Sequence, residues 1–171
     1  MNFPCRLLLS WIVLTAPAMA QAKLPEIQAQ SLTGKQVVLP KDASGEVTLL
    51  IFGFAHASKA ASTAWGKKLN QDFASDNAFV FYQIAGVQDI PRLFRGMAEH
   101  GMRSEVPAAR QDHFLLLRHD EARWKKFVGY EKPDDAYLVL LDRRGAVRDQ
   151  WHGRFDAPEY QKLAKEIRAL E

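Results

Sequence analysis

The stretch that most constrains this chain is Val47-Thr48-Leu49-Leu50-Ile51-Phe52-Gly53-Phe54-Ala55-His56-Ala57-Ser58-Lys59-Ala60-Ala61. Its first half is an almost unbroken apolar run, the pattern of a strand covered on both faces rather than one with a wet side. After Phe54 the run dissolves into small and polar residues. A helical pattern follows over Ser62–Phe73, where Ala61, Trp65, Leu69 and Phe73 recur every four residues and make one apolar stripe to lay on a sheet. A strand buried on both faces needs layers above and below it. This stretch alone therefore calls for a sheet between helices.

The rest of the chain supplies them. Glu26–Leu32 and Lys35–Leu39 flank Thr33-Gly34 and read as a small N-terminal hairpin, with Pro40–Glu46 as the loop into the central strand Val47–Phe54. Ala78–Val87 is a second β-prone run. Asp89 is placed to cap a helix with Pro91 near its start, Leu93, Phe94, Met97 and Ala98 as its buried face, and Gly101 at its end. Arg103–Gln111 reads as a loop and Phe114–Leu117 as a third buried strand. His119-Asp120 then opens a helix over Glu121–Val128, stopped by Gly129. Ala136–Leu141 is a fourth strand, Asp142–Gly145 a hairpin turn and Ala146–His152 the returning partner. Asp156 followed by Glu159 is a capping-box start for a final helix with Tyr160, Leu163, Ala164, Ile167 and Leu170 on one side. This order predicts one α/β domain with a mostly parallel central sheet, helices on both faces and an antiparallel hairpin at one edge. A chain of 171 residues, 47% hydrophobic and 25% charged, is long enough to bury such a core.

The first residues read as an address rather than as structure. Arg6 supplies a positive n-region, Leu7–Ala16 an apolar h-region and Ala18-Met19-Ala20 a cleavage site, so residues 1–20 are expected to be a signal peptide. Ala20-Gln21-Ala22 is the alternative cleavage site. The apolar run is short for a membrane span, and no later stretch reaches that length. The expected product is periplasmic or secreted, without a transmembrane segment after cleavage. Cys5 is the single cysteine and leaves with the signal, so the mature chain has neither a disulfide nor a thiol nucleophile. The formal charge of +3 falls to +2 without Arg6, and the basic residues are scattered, which argues against a nucleic-acid partner.

A buried strand feeding a short loop and a helix is where thioredoxin-like domains carry their chemistry, and this one resembles the Sco-like copper chaperones, whose motif reads roughly FGFTHCxxxC. Phe52-Gly53-Phe54-Ala55-His56 matches the stem, while Ala57 and Ala61 stand where the two cysteines belong. Downstream, Tyr137, Leu138, Asp142, Gly145, Val147, Arg148, Trp151 and Gly153 are similar to the C-terminal pattern of the mitochondrial ATP synthase assembly-factor family. The two resemblances cover about Glu26 to Leu170. They imply a thioredoxin-like three-layer α/β/α fold with an added N-terminal hairpin, occupying residues 24–171. They also point to what is missing. The metal histidine of the Sco-like pattern falls at Asp134, and the proline that usually precedes the fourth strand falls at Asp135 or Ala136, Pro133 being too early.

The candidate surface is thus His56, Ala57, Ser58, Lys59 and Ala61, with Asp134 and Asp135 facing them. His56 is either a ligand or proton donor at the mouth of the old site or a histidine that shapes the loop. Ser58, Lys59, Ser62 and Thr63 suit an anion at a helix start, and equally an ordinary N-cap with a solvated first turn. His113 and His119 straddle a strand at an even separation, a weak metal pattern. Trp124 and Trp151 are candidates for an interface. No catalytic, cofactor or metal residues are assigned. The expected function is that of an exported, redox-inactive binding or assembly factor. Its protein partner is unidentified; the resemblance suggests a membrane respiratory or ATP synthase complex. The contrasting expectation is a metal- or redox-linked enzyme using non-thiol residues around His56.

Overall fold

The computed structural model describes residues 24–171; the expected signal peptide and Cys5 lie outside them. Seven strands form one sheet in the order β2-β1-β5-β4-β3-β6-β7. They are β1 (Ile27–Ser31), β2 (Gln36–Leu39), β3 (Val47–Gly53), β4 (Phe79–Gly86), β5 (Phe114–Leu117), β6 (Ala136–Leu141) and β7 (Val147–Gly153). The helices are α1 (Lys59–Phe73), α2 (Arg92–Glu105), α3 (Glu121–Phe127) and α4 (Ala157–Leu170). β3 is central, as its apolar run requires. It pairs in parallel with β4 and antiparallel with β6.

Alternation along β3 builds the layers. Leu50 and Phe52 join one core with Ile84, Leu115, Tyr137 and Trp124 of α3, whereas Val47, Leu49 and Ile51 join another with Trp65 and Leu69 of α1 and Tyr160, Leu163 and Ile167 of α4. The expected three-layer α/β/α arrangement is present. The sheet is less parallel than expected: only β3–β4 and β4–β5 are parallel, and antiparallel hairpins, β1–β2 and β6–β7, close both edges. Hairpins need only tight turns, and the chain supplies one at Gly34 (φ 95°) and one at Gly145 (φ 76°).

The largest departure is α2. Its expected buried face is turned to solvent: Leu93 is 86% exposed, Phe94 50% and Met97 70%, and no residue of the helix is fully buried. The reason is that α2 is fastened through its polar side. Arg95 donates to the carbonyls of Ile90 and Gln88, Arg103 donates to the carbonyl of Leu32, and Glu99 pairs with Arg118 at 2.7 Å. Of the helix, Met102, with Val106 just past its end, rests on the small cluster of Leu32, Val87 and Leu116. The helix runs past Gly101 to Glu105, so the expected Arg103–Gln111 loop is helical at its start and continues as a 3-10 turn over Ala108–His113. Asp89 does not cap it. Pro91 holds that position without a side-chain bond, and the Asp89 carboxylate pairs with Lys125 instead. Trp124 is core rather than interface, fully buried and stacked on Phe52 with ring centroids 5.2 Å apart.

Candidate functional site

β3 ends at Gly53, and the chain passes through Phe54, which is buried, and Ala55 into a 3-10 turn, His56–Ser58, before α1 begins at Lys59. The approach is close. A Cβ on Gly53 would fall 2.7 Å from Ser58 Oγ and 3.0 Å from Ser62 Oγ, so glycine is required there by contact rather than by backbone angle. Ser58 does not cap α1. It is buried, and its hydroxyl donates to the Ala55 carbonyl at 2.7 Å, which closes the turn. Ser62 Oγ is buried without a partner among the described residues. His56, Ala57, Lys59 and Ala60 face solvent, whereas Ala61 points into the core of α1 and α4. Lys59 is tied down by Glu105 at 2.5 Å. The Ser58 hydroxyl and the lysine of the expected anion site are therefore spent on local partners.

Tyr137 of β6 lies opposite Phe52 of β3, which brings the segment before β6 alongside this loop. Asp134 and Asp135 lie in that segment, each with a partner from the β7 side. Asp135 is buried, with His152 Nδ1 3.2 Å away. Asp134 accepts from Arg154 at 2.6 Å, and that bond holds its carboxyl below the usual carboxylate range. The rim is anchored from beneath. The fully buried Tyr137 hydroxyl accepts the N–H groups of Glu131 and Lys132 at 2.9 and 2.8 Å and donates to the Lys132 carbonyl at 3.1 Å.

Behind the loop is an aromatic wall. Phe54 stacks on Phe52 (5.6 Å) and meets Tyr130 edge-on (5.5 Å), and His152 lies flat over Tyr137 (5.7 Å). The Lys125 ammonium hangs over the rings of Phe54 and Tyr130 at 5.8 and 5.3 Å. It also pairs with buried Glu121 at 2.7 Å and Asp89 at 3.2 Å. The bond to Glu121 is the main reason its ammonium titrates above the ordinary lysine value. Glu121 is seated over Gly86, where a Cβ would come within 2.8 Å of its carboxyl carbon, and it accepts the Gln88 N–H.

His152, Arg154, Tyr137, Glu121 and Lys125 escape a reading of the sequence. Pairing His152 and Arg154 with the rim requires the β6–β7 register, and the Glu121–Lys125 pair has only an i, i+4 spacing to announce it. His113 and His119 have separate surroundings. His113 packs half-buried on Tyr82 at 5.2 Å, while His119 lines a polar cleft of about 260 Å³ with Glu26, Gln28, Asp120 and Arg123. Trp151 is partly buried against the core of α1 and α4. Among the described residues, no group of three or more His, Cys, Asp or Glu is placed to share a metal ion, and no helix is long and apolar enough to cross a membrane.

A mixed sheet with this strand order, and with the loop after β3 facing the start of β6, is a thioredoxin-like fold, and solved structures agree. The chain is similar to a protein described as a putative Thiol:disulfide interchange protein DsbE from Chlorobium tepidum, with TM-score 0.63 and 19% identity over 86% of this chain and 94% of that one. It is also similar to BsSco, a member of the Sco family of cytochrome c oxidase assembly proteins, with TM-score 0.61 and 17% identity over 86% of this chain and 92% of that one. A SCO1/SenC family lipoprotein from Bacillus anthracis matches with TM-score 0.58 and 16% identity over 88% of this chain and 96% of that one. No family model and no curated protein sequence matches. At these identities the likeness carries the fold.

Proposed function

We propose that this chain is an exported, redox-inactive thioredoxin-like protein that acts by binding another protein, as an accessory or assembly factor. One observation carries the reading. The loop after β3 leads into the start of α1 beside the segment before β6, with alanines at 57 and 61 and an aspartate engaged with Arg154 at 134. A soft metal is selected by sulfur ligands, thiolate above all, and disulfide exchange needs a sulfur nucleophile. Neither demand applies to a docking surface, which needs shape. That BsSco belongs to a family of assembly proteins supports a similar role, and a respiratory or ATP synthase complex is the kind of partner the sequence resemblances suggest. The signal-like start of the sequence supports a periplasmic or secreted location.

The test restores the missing chemistry. In the wild-type chain, Cu(I) titration and an insulin-reduction assay are expected to be blank. The variant Ala57→Cys/Ala61→Cys/Asp134→His should gain Cu(I) affinity and close a reversible disulfide, because the loop supplies a helix start for one thiol and the rim places an imidazole opposite. Tight Cu(I) binding or bound metal in the wild type turns the reading to an enzyme or carrier using His56. A variant whose thiols never pair means the loop no longer has the geometry of a thiol site.

A further inference from the structure

We infer that α2 is a lipid-binding ridge that seats the molecule on an anionic membrane surface. This goes beyond the docking role proposed for the loop after β3 and does not depend on it. An amphipathic surface helix ordinarily turns its apolar stripe inward. α2 does the reverse: Arg95, Glu99 and Arg103 reach back to the body, and Leu93, Phe94 and Met97 stand out in solvent. These three are the exposed large hydrophobic residues of the described chain, and they are gathered within five positions of one helix.

Two observations select lipid as the occupant. The first is shape and size. A single convex helix offers no groove, and at roughly 200 Å² for a large side chain the three together expose about 400 Å². That is around half of what each side of a stable protein interface buries, so neither a second copy nor a folded partner is well served. The second is charge. The acids of this region are neutralised internally: Asp89 by Lys125, Glu99 by Arg118 and Glu105 by Lys59. Arg92, Arg95 and Arg103 have no carboxylate partner among the described residues, so the charge left over on the helix is positive, with Arg92 exposed and Arg95 and Arg103 bound to backbone carbonyls, as suits a helix lying in an anionic interface.

The test is flotation of the chain, as a secreting host delivers it, with vesicles of mixed phosphatidylglycerol and phosphatidylethanolamine or of phosphatidylcholine alone. The wild type should float with the anionic vesicles and less with phosphatidylcholine, and added salt should release it. Leu93→Ser/Phe94→Ser/Met97→Ser should lose about tenfold in partitioning, because the apolar area that enters the interface is removed. Its circular dichroism should stay unchanged, since these side chains stand in solvent. Because an attached leader could itself bind vesicles, the variant Phe94→Trp supplies a local readout: brominated acyl chains should quench the emission that the new indole adds. A wild type that stays with neither vesicle, a triple variant that floats equally well, or an added indole emission that bromine leaves untouched overturns the inference. So does sedimentation showing a wild-type dimer that the triple variant dissociates, which would assign the ridge to a second copy.

Discussion

At Gly145 two demands fall on one residue. Its φ of 76° belongs to the region that side chains disfavour, and a Cβ there would lie 2.7 Å from the Pro40 ring of the facing loop. Asp142 organises the same turn. Its carboxylate accepts the N–H groups of Arg144 and Ala146 and two bonds from the Arg148 guanidinium. Burial pushes that carboxyl up, but the two backbone donors and Arg148 together hold it below the ordinary value. Gly145→Val should therefore cost at least about 1 kcal/mol from the backbone alone, with the Pro40 contact adding to it. Urea denaturation checks this, and an unchanged midpoint would remove Gly145 from the turn's requirements. The turn was legible because Asp, Gly and a returning strand are local signals. Pro40 was not, because a contact between residues so far apart in the chain leaves no trace in spacing.

Among the elements, α2 and α4 show what periodicity can and cannot say. Both have a stripe at helical spacing. In α4 the stripe faces the sheet, because Tyr160, Leu163 and Ile167 meet β3 and β6. In α2 the arginines find backbone carbonyls first, and the stripe is turned away. A period specifies a face; the neighbours decide whether that face is inside. The start of α4 follows its local signal as well, since the Asp156 carboxylate accepts the Glu159 N–H at 3.1 Å. Asp156→Ala should cost about 1 kcal/mol, visible as a lowered thermal midpoint, whereas Asp156→Asn should be nearly silent.

For the whole molecule, the central strand fixed the layers, and the order of elements came close to fixing the sheet. The rim of the candidate site was only half visible. Asp134 and Asp135 precede β6, but their partners, His152 in β7 and Arg154 just past its end, are brought to them by a register that only the fold reveals. Global stability should also register acid at His113. Burial, then the neighbouring Arg110 charge, hold its imidazole below the ordinary 6.5, with Tyr82 against its ring and Asp112 and Lys35 nearby. The unfolded chain thus takes up this proton at a higher pH than the folded one. The contribution is complete above about pH 6.5 and is lost as the pH falls towards the folded value. His113→Gln should flatten the pH dependence of the denaturation midpoint in that window, and an unaltered slope would show that another group sets it. The three bonds of the Tyr137 hydroxyl have a wider consequence. They make the rim a property of the sheet rather than of the residues that face the loop. The residues facing the loop can then be exchanged while the frame that presents them keeps its form.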